Sequence, residues 1–206
     1  VLFQRGARMQ LEMGGKNPLI VLDDAILDKA VDCAINGSFY STGQRCTASS
    51  RIIVTNGIHD AFVEAMIERT RALVVGDARA PQSNLGPVVS EQQLEIDEFY
   101  LRTGATEGAE ITIGGERLSL SAPGYYLSPA LLVNSSNQMK INREEIFGPI
   151  AAVILVADYD EALQTANDAD YGLSAGIITQ DTKLQNHFIE NIEAGMAQIN
   201  LPTAGM

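Results

Sequence analysis

The chain has 206 residues and a formal net charge of −12, with 46% hydrophobic and 19% charged residues. This composition is typical of a globular core and excludes a disordered or collagen-like chain. An acidic surface repels phosphate backbones, and the sequence contains no run of Lys and Arg, so we predict no nucleic-acid partner. No apolar run approaches the roughly 20 residues that a membrane helix needs, so we predict no membrane partner either.

The cysteine content and the N-terminal residues bear on the compartment. Cys33 and Cys46 are too few for a disulfide framework in a chain of this length, and reduced thiols indicate a cytoplasmic protein. Residues 1–10 contain no apolar stretch of signal-peptide length. The first four residues, VLFQ, resemble part of a viral 3C-protease recognition sequence. We therefore expect residues 1–9 to be a cloning remnant together with domain-junction residues.

Strand-like and helix-like segments alternate along the chain. The predicted strands cover residues 18–22, 51–55, 110–113, 127–133, 150–156, 173–179 and 196–201. The predicted helices cover residues 26–40, 58–73, 90–106, 159–168 and 182–192, with Ser90 as an N-cap. Helices between strands favour parallel pairing, and apolar runs such as IAAVILV at 150–156 are typical of strands buried on both faces. We therefore predict one doubly wound α/β domain, with a mostly parallel sheet and helices on both faces.

Two segments contain residue types suited to catalysis. Glu12 precedes a Gly-Gly pair and a strand in LEMGGKNP, and such glycines let the backbone pass close to a ligand or to another chain segment. Taken alone, the segment is also compatible with a plain turn before a strand. Cys46 lies in the polar loop STGQRCTA between a helix and a strand, where active-site loops of open α/β sheets occur. The adjacent Arg45 is expected to favour a reactive thiolate, although an inert free cysteine stays possible.

Three further features help to weigh these candidates. Cys33 lies on the apolar stripe of its predicted helix, where a cysteine is usually a small buried hydrophobic residue. The segment EEIFGP at 144–149 has a carboxylate, an aromatic ring and a Gly-Pro turn, a set able to hold a ribose and shield a flat ring. The segment YGLSAG at 171–176 indicates mainly close packing of a strand against a helix. His59 and His187 fall outside all of these segments, so a Cys–His protease pair has no local support.

Taken together, these motifs resemble the NAD(P)-dependent aldehyde dehydrogenases, in particular their catalytic, cysteine-bearing domain. EMGGKNP, GQRC and EIFGP occur in the family's order, and 34 residues separate Glu12 from Cys46, as the family expects. VGD at 75–77, LGP at 85–87 and GYY at 124–126 are further landmarks. The resemblance covers the chain from about Gln10 to its end. Several independent motifs in register make it far more specific than any one motif.

The resemblance implies a role for four residues. Cys46 would attack an aldehyde and form a thioester after hydride transfer to NAD or NADP, and Glu12 would activate the water that releases the carboxylic acid. Glu145 would hold the nicotinamide-side ribose, and Phe147 would pack near the nicotinamide ring. No metal site is implied. The backbone N–H of Cys46 would be one oxyanion donor, while the family's second donor, an asparagine of the preceding domain, has no counterpart here.

The resemblance also sets expectations about the parent enzyme. We expect residues 10–206 to be the catalytic domain, truncated at the C-terminus, with the dinucleotide-binding domain absent and the isolated chain inactive. The parent would be a homo-oligomer acting on a small aldehyde. The context STGQRCTASS looks most like the semialdehyde oxidisers of sugar-acid breakdown, which suggests 2-oxoglutarate semialdehyde. Two alternatives stay open: an acylating relative that passes the thioester to coenzyme A, against which Glu12 argues, and a binding or structural fragment without catalysis.

Overall fold

The computed structural model describes residues 3–204, so the N-terminal pair of the expected cloning remnant lies outside the described residues. The strands are β1 (Asn17–Val21), β2 (Ser49–Thr55), β3 (Glu110–Ile113), β4 (Arg117–Leu118), β5 (Tyr126–Leu127), β6 (Ala130–Val133), β7 (Ile150–Val156), β8 (Ser174–Ile178) and β9 (Met196–Ile199). The α-helices are α1 (Leu27–Phe39), α2 (His59–Arg71), α3 (Glu91–Glu107), α4 (Lys140–Arg143), α5 (Tyr159–Asn167) and α6 (Thr182–Asn191). Short 3-10 turns cover Phe3–Arg5 and Tyr40–Gly43. Ser90 caps α3 as predicted, its side chain accepting from the backbone N–H of Gln93.

Seven strands form one sheet in the order β3-β6-β7-β2-β1-β8-β9. Strand β3 pairs with β6 in the antiparallel sense, and every other neighbouring pair in this sheet is parallel. Strands β4 and β5 form a separate antiparallel ribbon. The predicted mostly parallel α/β sheet is therefore confirmed.

Helices cover both faces of the sheet because side chains of successive strand residues point to opposite faces. On one face, Leu19 and Val21 of β1 belong to a buried cluster with Phe62 and other residues of α1 and α2. On the other face, Ile20 belongs to a buried cluster with Phe188 and other residues of α5 and α6. Further along that face, α3 and α4 pack against β6 and β7. The doubly wound prediction is thus confirmed.

Two strand predictions need correction. Residues 127–133 are two strands and not one, because Pro129 has no N–H and Ser128 bonds instead to the turn at Gly115 and Glu116. The turn at Gly114 can pass close to Pro129 because Gly114 has a φ of +74° and no side chain. A Cβ on it would lie 1.9 Å from the carbonyl oxygen of Pro129. Strand β7 has the predicted bounds, but Leu155 near its carboxyl end is 50% exposed.

The segments with candidate catalytic residues lead into the amino ends of the parallel strands. Gly15 precedes β1, Cys46 precedes β2, and the 144–149 segment precedes β7. The Cys46 loop lies between a helix and a strand, as predicted, and it is at the amino ends of the strands, opposite the carboxyl ends where open α/β sheets usually bind ligands.

At the carboxyl ends, aspartates bond to backbone N–H groups of the following segments. Asp23 accepts from the N–H groups of Gly57 and Ile58 before α2, while Asp158 and Asp181 are the N-caps of α5 and α6. These carboxylates satisfy the unpaired donors of helix starts and turns. In the described part of the chain, no helix has the length and apolar character required to cross a membrane.

Candidate active site

The Glu145 carboxylate is held against the Gly14-Gly15 pair. Its Oε1 accepts a hydrogen bond of 3.0 Å from the backbone N–H of Gly15. A Cβ at Gly14 would lie 2.3 Å from Glu145 Oε2, so any side chain there would displace the carboxylate. Among the hydrogen bonds of residues 3–204, Oε2 has no partner, and it is therefore available to accept from a ligand hydroxyl.

Asn17, in the LEMGGKNP segment, bonds to the Cys46 loop and to the YGLSAG segment, and it was not assigned a role from the sequence. Its Nδ2 donates to the carbonyl oxygens of Cys46 (2.8 Å) and Ala48 (2.9 Å), and its Oδ1 accepts from the backbone N–H of Ser174 (3.0 Å). The side chain is buried, so these bonds are shielded from water. Asn17 therefore fixes the backbone of the Cys46 loop relative to β1 and β8. An Asn directly before an apolar strand was the available signal, but its partners are distant in sequence.

The Cys46 loop begins with an unusual turn. Ser41 and Thr42 have φ angles of 57° and 56°, a left-handed conformation that is uncommon for residues with side chains, and Gly43 follows at 64°. A Cβ at Gly43 would lie 2.1 Å from the carbonyl oxygen of Gly148, so glycine is required where the two loops touch. The turn thereby brings the Cys46 loop against the segment that contains Glu145.

The Arg45 side chain bonds to the end of the preceding helix. Its guanidinium donates to the carbonyl oxygen of Asn36 near the C-terminal end of α1, and more weakly to that of Gly37 at 3.5 Å. Helix C-termini carry unpaired carbonyl groups and partial negative charge, which a guanidinium satisfies. Arg45 therefore ties the loop to α1 and is directed at α1 carbonyls instead of at the thiol next to it.

The two cysteines occupy contrasting environments. Cys46 is exposed, whereas Cys33, a residue of α1, is buried in the core between α1 and the sheet. Burial raises the pKa of the Cys33 thiol, and the thiolate is the form that reacts.

We expect iodoacetamide at neutral pH to label Cys46 in the folded chain and to leave Cys33 largely unmodified. Exposure of Cys46 and burial of Cys33 give the physical reason. Peptide mapping by mass spectrometry measures the two sites separately, and labelling in denaturant is the control that both peptides are detectable. Preferential labelling of Cys33 in the folded chain would contradict the assignment.

Glu12 and Phe147 both present their side chains to solvent. Glu12 accepts a 3.0 Å hydrogen bond from Gln10 Nε2, and no hydrogen bond among residues 3–204 joins it to the Cys46 loop. Glu12 lies three residues before Gly15, a separation that spans at most about 10 Å of extended chain. Phe147 is 38% exposed and has a φ of 64°, a strained conformation typical of functional segments.

Two buried cations lie beneath the Gly14-Gly15 pair. Arg51 donates to the carbonyl oxygens of Lys16 (3.0 Å), Thr165 (3.1 Å) and Ala166 (2.8 Å), which fixes the entry to β1 against the C-terminal end of α5. Burial, and next the charge of Arg51, lower the pKa of Lys16 to about 7, whereas Glu145 raises it. The Lys16 amine is therefore partly uncharged near neutral pH.

The segment after β9 returns to the Cys46 loop, a contact that the sequence did not reveal. Thr203 Oγ1 donates to the carbonyl oxygen of Thr47 at 2.7 Å and lies 2.6 Å from Ser49 Oγ, and the Thr203 carbonyl accepts from Ser174 Oγ at 3.1 Å. The segment that begins at Tyr171 packs closely, but at Gly176 it packs against a neighbouring strand and not against a helix, since a Cβ there would lie 2.9 Å from Leu19 of β1. Within residues 3–204, no group of three or more His, Cys, Asp or Glu side chains is placed to hold a metal ion.

Comparison with known proteins gives one consistent result. The sequence model described as "Aldehyde dehydrogenase family" matches residues 3–206. The chain is 46% identical over 204 residues to the alpha-ketoglutaric semialdehyde dehydrogenase of Bacillus subtilis (strain 168), covering 98% of this chain and 42% of that protein. It is 40% identical to the betaine aldehyde dehydrogenase of Mesorhizobium japonicum, covering 97% of this chain and 42% of that protein.

The solved structures agree with the sequence comparison. The crystal structure of an NAD-dependent aldehyde dehydrogenase from Sinorhizobium meliloti matches with a TM-score of 0.93 and 35% identity, covering 99% of this chain and 40% of that one. The chain thus spans about two fifths of the length of the relatives that it matches. Because the family match extends from residue 3 to residue 206, the chain belongs to the aldehyde dehydrogenase family.

Proposed function

We propose that residues 10–206 are the catalytic domain of a longer NAD(P)-dependent aldehyde dehydrogenase, with Cys46 as nucleophile and Glu12 as general base. The main support is that the predicted segments meet at the amino ends of neighbouring parallel strands. Asn17 holds the carbonyl of Cys46, and the adjacent Gly15 holds the carboxylate of Glu145. A cavity of about 10 Å³ is lined by residues of all three loops, among them Arg45. The backbone of the exposed Cys46 therefore lies against Gly15, whose N–H holds a carboxylate with one oxygen available to a ligand.

The proposed reaction proceeds through a covalent bond to Cys46. The Sγ atom attacks the aldehyde carbon, and the backbone N–H of Cys46, which donates no other hydrogen bond within residues 3–204, stabilises the developing oxyanion. Loss of hydride leaves a thioester on Sγ. Glu12 then takes a proton from water as the water oxygen attacks the thioester carbon, and the C–S bond breaks to release the carboxylic acid. Two easier steps thereby replace one difficult oxidation.

The residues present are compatible with a nicotinamide cofactor, whose contribution when bound is to accept the hydride. Glu145 Oε2 is available to accept from ribose hydroxyls, and the exposed ring of Phe147 offers an apolar surface for a flat ring. The S. meliloti relative is described as NAD-dependent, so we propose NAD as the first choice and NADP as the alternative.

The substrate and setting of the enzyme are also proposals. The name of the 46%-identical B. subtilis relative and the STGQRCTASS context both support 2-oxoglutarate semialdehyde. Betaine aldehyde, named for the 40%-identical relative, is the natural comparison because it carries a positive charge where the semialdehyde carries a negative one. We further propose a cytoplasmic homo-oligomer.

We expect the full-length enzyme, but not this chain alone, to form NAD(P)H from aldehydes, with a higher kcat/KM for 2-oxoglutarate semialdehyde than for betaine aldehyde. The chain has the proposed nucleophile and base but lacks a counterpart of the family's second oxyanion donor, and loss of one such donor costs about 10²–10³ in rate. Absorbance at 340 nm measures turnover. Turnover that follows the isolated chain through purification would contradict its inactivity.

Mass spectrometry of the product separates this function from the acylating alternative. Free carboxylic acid formed without coenzyme A supports hydrolysis by Glu12-activated water. An acyl-coenzyme A product, with no acid formed in the absence of coenzyme A, would overturn it. Absence of turnover with every aldehyde in the full-length protein would favour a binding or structural role.

A further inference from the structure

Asp97 is a buried carboxyl group that the proposed reaction does not use. It lies on α3 with no exposed surface, and its Oδ1 accepts a 2.8 Å hydrogen bond from Gln93 Nε2. Its Oδ2 has no hydrogen-bond partner in the part of the chain that the structure describes. Burial raises the pKa of Asp97 to about 7. A carboxyl in this position is therefore easily kept in its uncharged form.

The Asp97 carboxyl packs directly against the loop proposed to bind the cofactor. A Cβ at Gly148 would lie 2.1 Å from Asp97 Oδ1 and 2.6 Å from Oδ2, so the backbone of Gly148 rests on the carboxyl group. Gln93 Nε2 also donates to the carbonyl oxygen of Ile146 at 3.0 Å. The other side of Gly148 faces the Cys46 loop, because its carbonyl oxygen occupies the space where a side chain of Gly43 would be. Gly148 is thus enclosed between Asp97 and the Cys46 loop.

We propose that Gln93 and Asp97 position the Glu145–Gly148 loop against the Cys46 loop, and that Asp97 does so in its protonated form. The inference rests on the proposed function, since it assigns to that loop the cofactor's ribose and ring. A proton on the partnerless Oδ2 lets the carboxyl pack against Gly148 without an unpaired buried charge. Ionisation places a charge there that water cannot solvate unless the loop moves away.

The surroundings of Asp97 decide whether its hold on the Glu145–Gly148 loop strengthens or weakens as pH rises. Burial is the largest cause of the raised pKa of Asp97; next, the hydrogen bond from Gln93 lowers that pKa, and the carboxylate of Glu98, which is paired with Arg117, raises it. The 146–148 loop contributes a backbone carbonyl and a glycine, and Gln93 is uncharged. Since the folded pKa lies above the unfolded value of about 4, the unfolding free energy falls as pH rises from about 4 to about 7. The loop is therefore held most firmly below pH 7 and loosens above it.

Hydrogen exchange of the chain tests this proposal without any activity. We compare wild type with Asp97→Asn, which keeps the shape of the protonated carboxyl but cannot ionise, and use Asp60→Asn, whose side chain is fully exposed, as the matched control. At pH 8 a group of pKa about 7 is roughly ten-to-one ionised. The peptide 144–150 should therefore exchange up to about tenfold faster in wild type than in Asp97→Asn at pH 8, and equally fast at pH 5.5.

Equal exchange of wild type and Asp97→Asn at both pH values would overturn the proposal. If the variant does not fold, wild type alone decides: exchange of peptide 144–150 must rise relative to the α1 peptide 27–39 between pH 6 and pH 8. In the full-length enzyme, KM for the cofactor should rise through about pH 7 in wild type and stay flat in Asp97→Asn, with kcat little changed. The same KM profile in both would also overturn it. Absence of turnover in wild type would contradict only the proposed function, because the exchange result stands separately.

Discussion

The Cys46→Ala variant of the full-length enzyme is expected to lose at least about 10³-fold in aldehyde oxidation, because no thioester can form without the thiol. The chain presents one exposed thiol for this role within its described residues, since Cys33 is buried in the core. The loss should appear in kcat, whereas cofactor affinity should change little. Measuring NAD(P)H formation under single-turnover conditions tests the loss of oxidation, because a missing nucleophile removes the burst as well as steady turnover, and a cofactor-binding titration tests the affinity.

Cys33→Ala is the matched control for this experiment. It removes the other thiol from a buried site, so activity per folded molecule should stay within about twofold of wild type while stability falls. The stability cost arises because Cys33 packs in the cluster between α1 and the sheet. An active Cys46→Ala enzyme, or a Cys33→Ala enzyme that folds but has no burst, would show that the nucleophile is misassigned.

The sequence predicted local structure well because periodicity and helix caps are local signals. Strand β7 has the predicted bounds at residues 150–156, and Ser90 caps α3 as its position before an amphipathic segment indicated. The break before β6 was missed because it depends on pairing of Ser128 with Glu116 across a turn, which the apolar pattern of 127–133 does not encode. Such pairing depends on how the turn folds and is not visible in the local sequence pattern.

The motifs pointed to loops that meet in the fold, but they did not reveal the contacts between those loops. The motifs named Cys46 and Glu145, and the structure places their loops in contact through Gly43 and Gly148. The sequence analysis placed the Cys46 loop between a helix and a strand, and in the fold such a loop leads into the amino end of that strand. Asn17 was missed because its partners lie 29, 31 and 157 residues away in the sequence, and Thr203 because its partners lie 29, 154 and 156 residues away. Only the folded sheet brings such residues together.

The Glu12→Gln variant of the full-length enzyme is expected to keep a burst of about one NAD(P)H per active site and to lose about 10²–10⁴-fold in steady turnover. Acylation needs the Cys46 thiol and a bound cofactor, which the variant retains. Deacylation needs a base for the attacking water, and a glutamine amide cannot accept that proton. Rapid-mixing absorbance at 340 nm separates the two phases, and intact-mass spectrometry should detect the thioester that accumulates on Cys46.

Glu110→Gln provides the matched control, because Glu110 is an exposed carboxylate on the outermost strand β3, which contacts neither candidate loop. Its burst and steady turnover should both equal those of wild type. In the structure Glu12 bonds to Gln10 and not to the Cys46 loop. The prediction therefore requires the segment between Glu12 and Gly15 to bring the Glu12 carboxylate to the thioester on Cys46. If Glu12→Gln turned over as fast as wild type, the base would have to be another group.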